Sequence, residues 1–355
     1  MPPASQDNYE SDLGAADGQV ASFEDRHHTP LQRLQHFLHG NPAMVPVIIL
    51  LLSVIVFGFV AGGRFFSLFN LSLIMQQVAI VGILACAQTL IILTAGIDLS
   101  VAAIMVLSYV IMGHMSVTYG WPTGLAVVAG LLVAMGCGAV NGLLVTRIKL
   151  PPFIVTLGTW RIFLAIVYLY TGSQSIRSQD IDAAAPLLKF FGERVSIGGA
   201  VFTYGVFLML GIFALFWYIL NRTAWGRHVY AVGDDREAAD LAGIRTGRVL
   251  LSVYIVAGLI CGIAAWAAIG RVGSVSPSSF FEANLNSITA VVIGGTSLFG
   301  GRGAILGSLF GALIVGVFSS GLKLAGADPQ WELFAIGCLI ILAVALDQWI
   351  RRVSV

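Results

Sequence analysis

This chain of 355 residues is 57% hydrophobic and only 10% charged, whereas roughly a quarter of the residues in a soluble domain are charged. Its formal net charge of +1 gives no reason to expect nucleic acid or a strongly acidic partner. The composition predicts an all-α polytopic membrane protein with the lipid bilayer as its solvent, because membrane-crossing helices satisfy their backbone hydrogen bonds internally.

The first 42 residues differ in composition from the rest. Residues 1–42 carry six acidic residues against two arginines and have no long apolar run. This polarity predicts a disordered N-terminal tail. The first apolar run starts near Met44, too late for a cleaved secretory signal, so we expect that run to be a true membrane span.

Hydropathy predicts about ten spans, which together form a transmembrane domain over residues 43–350. The predicted spans are 44–62, 71–93, 99–117, 122–146, 151–171, 201–220, 249–269, 284–300, 303–325 and 331–349. Glycine and polar residues interrupt the second, third and eighth of them. One of these three could therefore be broken or re-entrant, a shape tolerated where protein or a cavity surrounds it.

Basic residues in the short loops predict the orientation of the chain. They concentrate in the loop 221–248, near residues 147–149 and 302, and in the C-terminal segment 351–355, whereas the loop 172–200 has three basic and three acidic residues. Because short cytoplasmic loops carry the excess of Lys and Arg, both termini and the loop 221–248 are predicted to be cytoplasmic and the loop 172–200 to lie outside.

The cytoplasmic loop contains a dense run of charge, GDDREAADLAGI (233–244). Asp234 with Glu237 three positions later has the pattern of a capping box, and Gly243 can end the helix in a left-handed conformation. Ala238 and Ala239 would form part of a small apolar face. Such a helix could dock a partner or merely connect two spans, and periodicity alone favours neither.

Two charged residues lie in or beside predicted spans. Asp98, in LTAGIDLS (93–100), is favoured as a local cap for the following helix, with a role in a substrate path as the alternative. Arg161, in TLGTWR (156–161), is deeper in its span and must face the protein interior, a cavity or an acidic partner. Asp98 is one available partner, and both structural pairing and path lining remain open for Arg161.

Glycine is densest in VIGGTSLFGGRGAILGSLFGALIVG (292–316). The stretch is not a phosphate loop, because no Gly-Lys-Ser/Thr follows. Gly303, Gly307 and Gly311 repeat every four residues, which favours close packing of one helix face in the membrane. A break that lines a cavity is the alternative.

The segment GRVGSVSPSSFFEANLN (270–286), predicted on the outer side, combines aromatic and polar groups. Ser276, Phe280 and Asn284 are candidates for a sugar path, although an interfacial aromatic belt would use some of the same residue types. The histidines and cysteines form no nucleophile-base or metal-ligand pattern. The sequence therefore indicates a transporter or channel rather than an enzyme, with no metal site.

From about Phe69 to the C-terminus, the sequence resembles the permease subunits of bacterial ABC importers of the ribose and monosaccharide class, which includes permeases for autoinducer-2. The resemblance rests on motifs that follow in the family's order: LTAGIDLS, NGLLV (141–145), TLGTWR, GRHVYAVGDDREAADLAGI (226–244) and VVIGGTSLFGGRGAILGSLFGALI (291–314). It implies a multi-pass protein of the bacterial inner membrane.

The resemblance also implies partners. The helix with Asp234, Glu237, Ala238, Ala239 and Gly243 would be the coupling helix that rests in a cleft of an ATPase subunit, and a periplasmic sugar-binding protein would deliver a monosaccharide or polyol. ATP and Mg would bind the ATPase, with no cofactor on this chain. Two ATPases need two docking loops, so we expect a second permease chain, either an identical copy or a close relative. The alternative function is an ion-coupled secondary transporter that uses Asp98.

Overall fold

A computed structural model of the chain describes residues 44–351. The predicted tail 1–42 and all but the first residue of the segment 351–355 lie outside the described residues. The helices are α1 (Met44–Ala61), α2 (Leu68–Leu93), α3 (Val101–Gly113), α4 (Thr123–Thr146), α5 (Pro152–Thr171), α6 (Ser178–Ala184), α7 (Tyr204–Arg222), α8 (Ala224–Asp234), α9 (Arg236–Leu241), α10 (Thr246–Val272), α11 (Ala283–Ile293), α12 (Ile305–Leu324) and α13 (Pro329–Arg351). A two-stranded sheet, β1 (Arg194–Ile197) and β2 (Ala200–Thr203), lies between α6 and α7.

Eight helices of the described chain are long and apolar enough to cross a membrane, namely α1 to α5, α7, α10 and α12, with shorter apolar helices at α11 and in α13. A π-helical turn, His114–Thr118, extends α3. The prediction of an all-α polytopic membrane protein is confirmed. Of the ten predicted spans, the eighth is the interrupted one, whereas the second and third are continuous helices separated by the polar segment 94–100.

Helices α2 and α3 form the centre of the molecule. About 83% of the most apolar window of α2 and 78% of that of α3 are buried, against 17% for α1 and 28% for α5. α4 and α10 form the most extensive helix pair, and they approach closely because a Cβ on Gly138 or Gly258 would clash with the facing backbone. Small residues allow such contacts where lipid supplies no hydrophobic driving force.

Helix α11 is a half-span. Its 11 residues rise about 16 Å, roughly half of the hydrocarbon thickness. The chain then leaves helical geometry for residues 294–304, where Gly295, Gly300 and Gly301 adopt positive φ. Much of this non-helical backbone is packed against protein, although Phe299 and Arg302 are exposed; irregular backbone within a membrane requires such cover.

The close packing of α12 on α11 involves two of the three predicted glycines. A Cβ on Gly307 or Gly311 would clash with the backbone of Gly294 or Ala290. Gly303 is different, because it precedes α12 and has φ of 150°. The expectation that Gly303 shares a helix face with the other two is therefore wrong: the extended chain at Ala304 places the helix start at Ile305.

The outer segment, predicted to be a loop, contains a β-hairpin. β1 and β2 pair antiparallel, with Val195 opposite Phe202. Gly198 and Gly199 make the turn at positive φ, as a two-residue hairpin requires. Ser72 accepts a hydrogen bond from the Val201 N–H at 3.1 Å, which ties the hairpin to α2.

Candidate functional site

The charged loop folds as two helices, α8 and α9, separated by Asp235. Asp235 is the N-cap of α9, and its Oδ1 accepts a hydrogen bond from the Ala238 N–H at 2.9 Å. Gly243 follows the helix with φ of 83°. The predicted cap at Asp234 is wrong, because α8 continues through Asp234 and shifts the start of α9 by one residue. With Asp235 as cap, the third helical position is Ala238, so the capping box is not formed either.

The two alanines of the predicted small face point in different directions. Ala239 is 4% exposed and packs inward, whereas Ala238 and Glu237 are exposed. Leu241 is 90% exposed. The outward surface of α9 therefore combines acidic side chains with one unburied leucine, a combination that a partner surface would cover.

The end of α8 is held between two other segments. Gly233 lies so close to the turn after α2 that a Cβ there would clash with the Leu93 carbonyl oxygen and stand 2.7 Å from the Gly301 nitrogen. The Gly301 N–H donates to the Leu93 carbonyl at 3.0 Å. We call the meeting point of the α8 end, the turn at Leu93 and residues 300–301 the glycine junction. At this junction, backbone atoms link the charged loop to the core.

Tyr230 reinforces the glycine junction one turn earlier in α8. Its hydroxyl donates a hydrogen bond to the Gly303 carbonyl oxygen at 2.9 Å. Burial raises the pKa of the Tyr230 phenol above its ordinary value, so the group stays a donor at physiological pH. A movement of α8 would therefore be passed to the segment between α11 and α12.

Asp98 lies in a buried turn rather than in a helix. The side chain is 1% exposed, and its Oδ1 accepts hydrogen bonds from the N–H and the hydroxyl of Ser100, both at 2.6 Å. Asn141 of α4 donates to the Ser100 hydroxyl at 2.8 Å. Asp98 thus organises the start of α3, although Ser100 occupies the cap position and makes no side-chain cap itself.

The turn with Asp98 is also the anchor of α5 and α11. The Thr156 hydroxyl on α5 lies within hydrogen-bond distance of the Ile97 carbonyl oxygen, at 3.1 Å, and of the Pro152 carbonyl oxygen of its own helix, at 2.9 Å. The Asn284 amide on α11 donates to the Leu99 carbonyl at 2.7 Å. Asp98 and Asn284, two of the residues predicted for a sugar path, are therefore neighbours in one buried polar cluster, and their role in a path stays a prediction.

Arg161 does not join this cluster. It is exposed on α5, and its guanidinium carbon lies 4.7 Å from the centre of the Trp160 ring. The hypothesis of a pair with Asp98 is wrong, because no ion pair joins them in the described chain and Asp98 is enclosed by Ser100 on the inner side of the turn. Which face of a helix a residue occupies depends on packing that the local sequence does not reveal.

Ser276 and Phe280 lie in the segment between α10 and α11. Phe280, at φ of 64°, packs edge-on against Tyr109 of α3 with ring centres 5.8 Å apart. The Tyr109 hydroxyl donates to the Ser274 carbonyl, so the segment turns back against the middle of α3. Ser276 lies within hydrogen-bond distance of Ser278, 3.1 Å between hydroxyl oxygens.

A cavity of about 520 Å³ lies between α9 and the core. Residues 94–96 and the loop 149–152 line one side, and Arg236, Glu237 and Asp240 of α9 line the other, with Tyr254 of α10 between them. Sequence reasoning missed this cavity and Tyr254, since no local motif marks a contact between segments so distant in the chain. The cavity separates the charged helix from the Asp98 turn.

The molecule has apolar spanning helices around a buried polar turn. A charged helix pair is attached beside that turn through backbone contacts. This arrangement is that of a membrane-embedded transport subunit. The chain belongs to the family described as branched-chain amino acid transport system / permease component, whose sequence model matches residues 70–344. This membership confirms the resemblance to importer permeases that the motifs indicated. The chain is accordingly a multi-pass membrane protein of the bacterial inner membrane.

Similar proteins are permeases named for sugars. The chain is 62% identical to the fructose import permease protein FrcC of Rhizobium meliloti over 98% of this chain and 96% of the relative. It is 35% identical to the ribose import permease protein RbsC of Bacillus subtilis, over 89% and 96%, and 33% identical to the D-allose permease protein AlsC of Escherichia coli, over 86% and 91%. These relatives are transport proteins and not enzymes. No solved structure matches the chain.

Proposed function

We propose that this chain is the permease subunit of an ATP-driven monosaccharide importer, with fructose as the first substrate to test. The identity of 62% to a fructose import permease across 98% of the chain carries this proposal. Relatives named for ribose and allose are about half as similar. They support the monosaccharide class without favouring a pentose or another hexose.

In this proposal, α8 and α9 couple the permease to an ATPase subunit on the cytoplasmic side. The exposed Leu241 would enter an apolar cleft, and Glu237 with Asp240 would fix the orientation against basic groups. ATP and Mg would be held by the ATPase. Its closure would move α8, and the glycine junction would carry the motion to the turn at Leu93 and to the segment between α11 and α12.

A sugar-binding protein would deliver the substrate on the opposite side, where we expect the hairpin and the segment 273–282 to lie. A second permease chain would complete the complex, one coupling segment for each of two ATPases. The spans would alternate between outward-open and inward-open arrangements, each favoured by the ligand that it binds better. The ion-coupled alternative lacks support, because Asp98 is occupied by hydrogen bonds from Ser100.

The proposal is tested by fructose uptake into liposomes that contain the permease with the ATPase and binding protein of the same transport system. In liposomes whose ATPase faces the lumen, we expect uptake to require ATP in the lumen. Uptake should continue when the proton and sodium gradients are collapsed. Ribose and allose serve as comparison substrates. Uptake that continues without ATP and stops when an ion gradient is collapsed would contradict the importer.

The docking role of α9 is tested by Glu237→Arg, which reverses an exposed charge that makes no ion pair with other described residues. We expect about tenfold weaker co-purification of the ATPase and a comparable loss of uptake, since like charges across an interface are unfavourable. Asp328→Arg, an exposed acid between α12 and α13, is the matched control and should keep the ATPase bound. If both variants bind the ATPase equally well, α9 is not part of the interface.

A further inference from the structure

The cavity of about 520 Å³ beside α9 has the size of a small-molecule site, since ligand pockets commonly have volumes of roughly 300–1,000 Å³. Its walls come from three parts of the chain: residues 94–96 before the Asp98 turn, the loop 149–152 between α4 and α5, and α9 itself. A molecule in this cavity would therefore touch the coupling helix and the core of the permease at the same time.

Four charged side chains line the cavity without pairing with one another, namely Lys149, Arg236, Glu237 and Asp240. Arg236 and Asp240 are four residues apart on α9, a spacing at which helix neighbours can pair. Within the described chain, however, none of the four forms an ion pair or a side-chain hydrogen bond. Two cations and two anions leave the cavity close to neutral, with both donors and acceptors available.

Tyr254 of α10 lies in the core-side wall and has an unsatisfied hydroxyl. The residue is 1% exposed, and its hydroxyl has no hydrogen-bond partner in the described chain. A Cβ on Gly96, another lining residue, would stand 3.3 Å from this oxygen, so the hydroxyl lies beside the cavity wall. Because an unpaired buried hydroxyl is unfavourable, a ligand at this wall can supply the missing partner.

Two strained residues also lie at this cavity. Ala95 and Lys149 have φ of 59° and 61°, in the left-handed region that residues other than glycine seldom adopt. One belongs to the wall at residues 94–96 and the other to the loop 149–152. Strained backbone of this kind is found preferentially at ligand sites, which agrees with the unpaired polar groups around the same cavity.

We propose that this cavity is a cytoplasmic regulatory site for a neutral monosaccharide, the imported sugar after its release. The N–H donors of Lys149 and Arg236 and the acceptors of Glu237 and Asp240 match the hydroxyl groups of a sugar. A balanced set of charges favours a neutral ligand over an anion. The basic residues of this region predict that the cavity opens to the cytoplasm. The choice of a sugar as ligand rests on the proposed function.

Occupancy of the cavity slows the transport cycle in this proposal. A bound sugar contacts both α9 and the loop 149–152, so a movement of α9 relative to that loop breaks part of its contacts. A ligand favours the conformation that it binds better, and the bound sugar therefore holds the arrangement of this structure. Sugar that accumulates in the cytoplasm would lower the rate of import.

Sugar binding is tested by protection of a cysteine in inverted membrane vesicles that contain the full chain. Leu150→Cys lies in the cavity wall, and Arg147→Cys is a matched control, exposed in the same loop region but outside the wall. Both are made in a Cys338→Ala background. The probes are fructose, ribose and allose.

We expect the sugar that the wild type takes up to slow maleimide labelling at position 150 at least about threefold and to leave position 147 unchanged. Absence of protection by all three sugars, or equal protection at both positions, would overturn the site. Protection by fructose 6-phosphate without protection by any free sugar would contradict a neutral ligand.

Regulation is tested in liposomes whose ATPase faces outward and whose lumen holds the sugar-loaded binding protein. External sugar should lower stimulated ATP hydrolysis at least about threefold. Lys149→Gln should raise the sugar concentration for half-inhibition about tenfold and Tyr254→Phe about fivefold, each from the loss of one hydrogen bond. Arg147→Gln should cause no shift. A wild-type complex that external sugar does not inhibit would contradict the regulatory role, as would an equal shift in the control.

The Tm of Tyr254→Phe separates binding from packing. Because the Tyr254 hydroxyl has no partner in the described chain, its removal should not lower the Tm. A lower Tm would mean that the variant acts through packing, against a hydrogen bond to the sugar. If the wild type takes up none of the three sugars with ATP, the proposed function fails, and labelling at position 150 still decides whether the cavity binds a sugar. ATP-driven uptake without protection or inhibition would keep the importer and overturn the regulatory site.

Discussion

At the scale of single residues, Asp235 determines where α9 begins. Its carboxylate is the acceptor for the Ala238 N–H, whereas the neighbouring Asp234 ends α8 and caps nothing in the described chain. A lost N-cap costs about 1 kcal/mol. Asp235→Ala should therefore speed amide exchange in α9 by about fivefold, and Asp234→Ala should not. Equal exchange in the two variants would show that the cap is not the determinant.

Some residue-level predictions succeeded because they depend on local chemistry. Gly243 does end the coupling segment at positive φ, since a left-handed position favours glycine wherever it occurs. The cap was misplaced by one residue because Gly233 allows α8 to approach Leu93 and continue, a tertiary contact. The direction of Arg161 was beyond the sequence for the same reason.

At the scale of elements, the glycine junction should be sensitive to a single methyl group. Alanine normally stabilises a helix relative to glycine. At Gly233, however, the added Cβ would clash with the Leu93 carbonyl, so Gly233→Ala should destabilise the protein by about 1–3 kcal/mol. Gly247→Ala, in the first turn of α10 with open space around it, is the matched control.

The measurement is thermal unfolding in detergent together with sugar-stimulated ATP hydrolysis of the complex. Gly233→Ala should lower the Tm by several degrees and weaken stimulation, whereas Gly247→Ala should keep or slightly raise the Tm and leave stimulation unchanged. A Gly233→Ala protein as stable as the control would mean that the α8 end is free to move away from the core, and that the junction does not transmit motion.

Hydropathy predicted the spans well because every span adds up many independent apolar residues. It included the interrupted eighth span among three candidates without deciding between them, since glycine and polar residues occur in all three. Hydropathy could not decide whether a single glycine at a span end belongs to the helix or to the preceding turn, and Gly303 was therefore placed in the helix wrongly. The hairpin was missed although Gly198 and Gly199 between short alternating runs are a recognisable hairpin signal.

At the scale of the whole molecule, the polar turn 94–100 connects the two ends of the proposed mechanism. Leu93, immediately before this turn, meets the α8 end through the glycine junction, and the Ile97 and Leu99 carbonyls within the turn contact α5 and α11. A displacement of the coupling segment is therefore separated from the buried polar cluster around Asp98 by one short turn. This arrangement requires that α9 and the hairpin lie on opposite sides of the membrane.

The side of the membrane on which each element lies is tested with single cysteines at two exposed positions, Leu241 of α9 and Ile197 of β1. Cys338→Ala is the background for both variants. The basic residues around α9 predict that it is cytoplasmic. A membrane-impermeant maleimide should label Ile197→Cys from the outer face of the inner membrane, in spheroplasts, and Leu241→Cys only in inverted vesicles. Because the other three cysteines are buried, background labelling should be low. Labelling of both positions from one side would place the coupling segment and the hairpin on the same face of the membrane. A cytoplasmic ATPase could not then drive α9 while sugar enters at the hairpin on the opposite side.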